Sequence, residues 1–264
     1  LPTGEIIWTG ANVLKNATGY DLTALMIGSE GTLGVITTIV FRLIPLPTKD
    51  ITLFVPFSSV EKACEAVSAV FRAGIIPSAL EFIERDAIDW TLKYTDVKLQ
   101  ITKDVEAHLL VEVDGNDMDV LYKECERIFE VMQEFECGEI LLADSESQKN
   151  QLWQLRRAIG EAVKSNSIYK EEDTVVPRAE LSKLLKGVKA IGKQYGFQSV
   201  CYGHAGDGNL HVNIIKGEMS DEDWNTKLTL GIREIFELTK SLGGTLSGEH
   251  GIGFVQKDYM DIVF

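Results

Sequence analysis

The pattern of apolar and polar positions changes at Pro45-Leu46-Pro47, because proline cannot continue a ladder. Residues 1–44 read as strands and tight turns, with Glu5–Thr9 and Gly34–Phe41 the strand-like runs on either side of a glycine-rich stretch. Beyond the prolines, helical and strand periods alternate. Ile51–Pro56 predicts a strand. Ser58-Ser59-Val60-Glu61 reads as a capping box, and Ala63, Ala66, Val67, Val70 and Phe71 form the stripe of a helix that stops at Gly74. Ala79–Ile83 is a second short strand. In Glu106–Val113, strict alternation predicts one face buried (Ala107, Leu109, Val111, Val113) and one mostly wet (Glu106, His108, Leu110, Glu112).

Asp119–Phe135 reads as helix, Glu139–Leu142 as strand, and Gln148–Lys164 as a helix facing inward through Leu152, Leu155, Ile159 and Val163. Pro177 opens a helix closed by Gly196, and Ser220-Asp221-Glu222-Asp223 caps another that runs to Gly243-Gly244. Strands recur with hairpins, not at regular βαβ spacing. The expected class is therefore α+β with an antiparallel sheet, divided into residues 1–47 and 48–264.

Composition narrows the partners. Of 264 residues, 45% are hydrophobic and 25% charged, which is ordinary globular composition. Lys plus Arg is 26 against 40 Asp plus Glu, a net charge of −14 with no basic cluster, so nucleic acid is not an expected partner. No apolar run is long enough to span a bilayer. Cys64, Cys125, Cys137 and Cys201 form no CxxC pair; small buried thiols and a reducing cytoplasm are expected.

The stretch richest in chemistry is Cys201–Asn213, containing Gly203-His204-Ala205-Gly206-Asp207-Gly208-Asn209-Leu210-His211. Asp-Gly is the strongest short hairpin signal. A two-residue turn at Asp207-Gly208 would pair Gly206 with Asn209, Ala205 with Leu210 and His204 with His211. Directly opposed residues share a face with Cβ atoms about 4.5–5.5 Å apart, and Asn213 would lie on that same face. Two readings stay open from spacing alone: half-buried histidines in a hairpin, or two ligands to one ion. His108, sharing a strand face with glutamates, is read as structural.

Residues 243–253 hold five glycines around an adjacent Glu249-His250 pair. Ordinary helix is excluded at about 1 kcal/mol per glycine, leaving a linker or a loop whose backbone approaches a ligand. Glu249 joining the two histidines would make a two-His, one-carboxylate site with an open position. His250 would be the adjacent base, imidazole being the side chain suited to proton transfer near neutrality. Near the N-terminus, Gly28-Ser29-Glu30-Gly31-Thr32-Leu33-Gly34 is neither GxGxxG nor a P-loop, and reads as a structural turn or a loop permitting close contact with a pyrophosphate.

Together these stretches resemble the FAD-linked oxidases of the vanillyl-alcohol-oxidase superfamily, in the branch of glycolate oxidase flavoprotein subunit, D-lactate dehydrogenase and D-2-hydroxyglutarate dehydrogenase. Asn16-Ala17-Thr18-Gly19-Tyr20-Asp21-Leu22 with Gly28–Gly34 resembles the end of the FAD-binding domain. Gly203–His211 and Ser247-Gly248-Glu249-His250-Gly251-Ile252-Gly253 resemble the two signatures of the substrate domain. The resemblance implies residues 1–47 as the close of an FAD-binding domain. It implies 48–264 as a substrate (cap) domain, an antiparallel sheet covered by helices with ferredoxin-like elements.

It also implies an internal piece of a longer enzyme. FAD would be met by Gly28, Ser29, Glu30, Gly31, Gly34 and Ile36, and a divalent metal, zinc, by His204, His211 and Glu249. His250 would be the base, and Arg156, Lys170 and Asn213 would touch the substrate. Gly160 stands where the 2-hydroxyglutarate enzymes carry a hydroxyl residue, which points toward lactate or glycolate. The expected reaction is FAD-dependent, metal-assisted oxidation of a D-2-hydroxy acid to the 2-oxo acid, with an electron acceptor or partner subunit downstream. The alternatives are a flavoenzyme acting on another alcohol, a metal-dependent hydrolase, and a binding module.

Overall fold

In the computed structural model, which describes residues 1–264, the first helix is short: the Asp21 carboxylate accepts the Ala24 N–H and opens α1 (Leu22–Met26). No strand forms before residue 49, so the strands expected at Glu5–Thr9 and Gly34–Phe41 are absent. A strand persists only where a neighbour takes its N–H and C=O groups, and this segment supplies none. Its apolar side chains stay open, Trp8 at 70% and Phe41 at 75% exposure. Leu1–Leu46 and Gly251–Lys257 form one compact unit, and Pro47–His250 with Asp258–Phe264 form a second. Within the first, the Glu30 carboxylate accepts the Ile252 and Gly253 N–H groups at 2.7 and 2.6 Å. Those two donors hold its carboxyl below the usual range.

The second unit opens with β1 (Lys49–Phe57), α2 (Val60–Arg72), β2 (Ala79–Glu84), α3 (Arg85–Tyr94), β3 (Ala107–Gly115), α4 (Met118–Glu134) and β4 (Leu141–Ala143). Ser59 rather than Ser58 caps α2. Its hydroxyl accepts the Lys62 N–H and donates to Glu61, so the expected capping box does not close; that needs the acid three residues past the cap. Next come α5 (Glu146–Asn166), β5 (Tyr169–Val175), α6 (Leu181–Tyr195), β6 (Gln198–Gly203), β7 (Asn209–Ile215) and α7 (Asp221–Ser241). Gly196 closes α6 in the left-handed conformation, and the Ser220 hydroxyl caps α7.

The seven strands form one antiparallel sheet in the order β4-β1-β3-β2-β6-β7-β5. Its first four follow the ferredoxin-like βαββαβ order, and the class is α+β as expected. One face, bearing Phe54, Ile83, Leu110, Val200, Tyr202 and Ile215, packs on α3 and α5 through Ile88, Leu152, Leu155 and Ile159. The alternate residues Leu53, Val55, Leu109 and Val111 are buried too, with α2 and α4 against those strands. The face of β3 expected to be mostly wet is therefore buried at His108 and Leu110, while Glu106 stays exposed and Glu112 half-buried. Its His108 is 3% exposed, stacks on Phe54 at 4.2 Å, and is pushed down to about 3 by burial. Period-2 alternation shows which residues share a face, but a second helical layer decides whether that face sees water.

Candidate active site

The β6–β7 hairpin is wider than the expected two-residue turn. Tyr202, not His204, opposes His211. The chain leaves β6 after Gly203, makes a 3-10 turn at Ala205–Asp207 and enters β7 at Asn209. Only Gly208 of the Asp-Gly pair takes positive φ, at 76°, whereas a type I′ turn needs it at both. A Cβ on Gly208 would lie 1.9 Å from the Val176 carbonyl oxygen, so a second feature demands glycine there. The register error is two residues. Because strand faces repeat every two residues, His211 stays on the expected face, and His204 at the mouth of the turn still reaches it. Their ring centroids lie 5.7 Å apart at 77°.

The Gly-rich segment completes the cluster from the other side. Thr245 exchanges both backbone hydrogen bonds with Val175, and the Gly248 N–H donates to the Asp173 carbonyl. Gly248 lies where a Cβ would come 2.4 Å from Asn209 Nδ2, so this glycine serves close packing onto the sheet. The Asp173 side chain fixes the two residues after it. One carboxylate oxygen accepts the Glu249 N–H at 2.7 Å, the His250 N–H at 2.8 Å and the Ser247 hydroxyl at 3.0 Å; the other accepts Asn209 Nδ2 at 2.7 Å. Burial pushes the Asp173 carboxyl up, but these donors outweigh it and hold it below the usual range.

Held this way, Glu249 Oε2 stands 3.5 Å from His204 Nε2, and the His250 ring stacks on His211 at 5.2 Å and 22°. His204, His211 and Glu249 bring ligand-type atoms within 4.8 Å of one another; so do Glu171, His211 and His250. Burial pushes His211 down to about 4, keeping it the neutral imidazole that a metal requires. Its buried Nδ1 has no hydrogen-bond partner, with carboxylates of Glu171 and Asp173 at 3.5 and 3.6 Å. Two imidazoles and a carboxylate with ligand atoms this close suit a divalent cation of the zinc type.

Of the expected substrate residues, two lie in this region. Asn213 is 1% exposed on β7, two residues along the His211 face, with its side chain beside the Tyr202 hydroxyl. Arg156 reaches in from α5, but its Nε donates to Glu81 Oε2 at 2.8 Å, its Nη2 lies 2.7 Å from the same oxygen in an ion pair, and its guanidinium lies 5.0 Å over the Tyr202 ring. One turn further, a Cβ on Gly160 would meet the Tyr202 hydroxyl at 3.4 Å. Lys170 is not brought to the cluster. It pairs with Glu172 at 3.4 Å, and on β5 the residues that alternate with these two, Glu171 and Asp173, are the ones facing His211.

Gly28, Ser29, Glu30, Gly31, Gly34 and Ile36 all lie in the first unit. Gly28 and Gly31 take positive φ, and the Glu30 carboxylate is already engaged by backbone amides.

Three acids of the site are missed by sequence reasoning. Glu81 sits in what reads as a short apolar strand, and a carboxylate between Leu80 and Phe82 is the one available signal. Glu171 and Asp173 lie in an acidic run that looks like solvated surface.

A model of the family described as FAD linked oxidases, C-terminal domain, matches residues 46–262. The chain belongs to this family. It is 35% identical to a D-lactate dehydrogenase of Anaerostipes hadrus, covering 98% of this chain and 56% of that protein. It is 33% identical to the glycolate oxidase subunit GlcD of Bacillus subtilis (strain 168), over 99% of this chain and 55% of the relative. With a D-2-hydroxyglutarate dehydrogenase of Stutzerimonas stutzeri the identity is 32%, over 98% and 56%. The chain thus spans about half the length of the curated relatives it matches. Among solved structures, alkyldihydroxyacetonephosphate synthase superposes with a TM-score of 0.61 at 16% identity, over 94% of this chain and 49% of that one. That likeness shows the fold. No helix is long and apolar enough to cross a membrane.

Proposed function

We propose that this family member handles the substrate in an FAD-dependent enzyme that oxidises a D-2-hydroxy acid of the lactate or glycolate class to its 2-oxo acid. Residues 1–47 are read as the close of the FAD-binding domain, with Gly28, Ser29, Glu30, Gly31, Gly34 and Ile36 at the cofactor, and 48–264 as the substrate domain. The observation that carries the reading is the convergence of His204, His211 and Glu249 beside a stacked His250. It is supported by relatives named D-lactate dehydrogenase and glycolate oxidase subunit.

His204, His211 and Glu249 would hold a divalent cation, zinc. That cation supplies Lewis acidity and a template for the hydroxyl and carboxylate oxygens, and the flavin supplies the hydride acceptor. The rest falls to side chains. His250 receives the substrate hydroxyl proton as the C–H bond breaks. Asn213, buried on the His211 face beside the Tyr202 hydroxyl, donates through Nδ2 to a substrate oxygen. Arg156 presents the part of its fork that Glu81 leaves free to the carboxylate. Gly160 offers no side-chain hydroxyl to a second carboxylate, which favours a substrate of the lactate or glycolate class. An electron acceptor or partner subunit would take the electrons onward. In the full-length enzyme, His250→Ala is expected to slow anaerobic flavin reduction by D-lactate or glycolate about 10²–10⁴-fold; an unchanged rate would remove the base from the scheme.

A further inference from the structure

We infer that Glu81 is a positioning residue for the site, a single buried carboxylate that aims the metal-binding nitrogen of His204 and anchors Arg156 at the same time. The inference rests on the reading of His204 as a metal ligand and goes beyond it to the residue that sets the ligand's direction.

Register places Glu81 there. Phe82 of β2 pairs with Gly203 of β6, and Ile83 with Tyr202. Carrying that antiparallel pairing one step further sets Glu81 across from His204, at the point where β6 gives way to the turn. Glu81 is 4% exposed. Its Oε1 meets His204 Nδ1 at 2.7 Å, and its Oε2 accepts Nε of Arg156 and pairs with Nη2 of the same guanidinium at 2.7 Å.

The chemistry follows from valence. A carboxylate oxygen can only accept, so His204 carries its proton on Nδ1. In the neutral ring the lone pair is then on Nε2, the nitrogen that faces Glu249 Oε2 at 3.5 Å. A carboxylate behind a ligating imidazole fixes ring and tautomer and raises ligand basicity. The second oxygen restrains the guanidinium, which α5 supplies from the helical layer. Neither group can swing without breaking its contact to the same carboxylate.

Fold stability alone does not call for this arrangement. A buried ion pair is commonly replaced by well-packed apolar residues at no cost. Here the strand spends a position between Leu80 and Phe82 on a charge, and both partners of that charge are site residues.

The test is zinc titration calorimetry on this chain, with 15N chemical shifts of His204 read in parallel. The wild type is expected to bind one zinc, with His204 protonated at Nδ1 before zinc is added. Glu81→Gln is expected to weaken zinc about 10- to 100-fold and to release His204 into exchange between tautomers. Because that variant leaves the guanidinium buried without an anion, the double variant Glu81→Gln/Arg156→Met repeats the test with both charges gone, and the same losses are expected. Arg156→Met alone keeps the Glu81–His204 contact and is expected to retain wild-type zinc affinity. Zinc affinity and His204 shifts unchanged in both Glu81 variants would overturn the inference, as would an equal loss in Arg156→Met. Silence of the wild type itself would overturn the metal reading and this inference with it, and is told apart because no substitution is involved.

Discussion

Asp173 shows how one side chain can organise a site without touching substrate. Its carboxylate accepts the backbone N–H groups of both Glu249 and His250, so the loop holding the proposed third ligand and the proposed base is tied to β5. Removing it strips three donors of their acceptor on one oxygen and leaves Asn209 Nδ2, which donates to the other, with only the Thr174 carbonyl. Asp173→Ala is therefore expected to cost about 1–3 kcal/mol of stability, since hydrogen bonds to a charged group are the strong ones. Denaturant unfolding measures that cost, and hydrogen exchange should find the Glu249 and His250 amides losing protection. Unchanged protection at those two amides would show that the loop is held by other means. At this scale the sequence is half legible. The residues with distinctive chemistry, His204, His211, Glu249 and His250, stand out by type and spacing. The acids that hold them do not, because Glu81, Glu171 and Asp173 acquire their roles only when strands distant in sequence come into register.

Among the elements, β3 offers the clearest pH test. His108 is neutral in the folded chain down to about pH 3, because burial penalises its charged form. In the unfolded chain it takes a proton near 6.5. Protons thus bind preferentially to the unfolded state between those values. The contribution is intact above about pH 6.5 and falls by roughly 1.4 kcal/mol per pH unit below it, toward pH 3. His108→Phe, which keeps a ring to stack on Phe54 and removes the unpartnered Nδ1, is expected to flatten the acid limb of stability against pH. An acid limb of unchanged slope would refute that assignment. The same strand shows why patterning misleads. Alternation along Ala107–Val113 has the expected period of two, but α3 and α5 cover the second face, and neither helical layer can be inferred from the strand alone. The hairpin misleads differently. The 3-10 turn moves the pairing by two residues, which strand parity forgives.

For the whole molecule, most strands and helices of the sheet domain lie within a few residues of the runs and caps that pattern reasoning locates, but α3 (Arg85–Tyr94) and β5 (Tyr169–Val175) are not among them. The N-terminal segment departs as well. Glu5–Thr9 and Gly34–Phe41 have the composition of strands, yet form none in a segment that offers no ladder partner. A strand is a property of a pair, so composition predicts the capacity and not the outcome. The proposed redox chemistry joins this chain's histidine cluster to a flavin, and its central claim lies in the cluster.

Metal analysis after dialysis in zinc-containing buffer tests that claim most directly. The account predicts about one zinc per chain in the wild type, and loss of that zinc in His211→Ala, which removes the imidazole common to both candidate ligand sets. Wild-type protein free of bound divalent metal, or His211→Ala retaining a full complement, would contradict it.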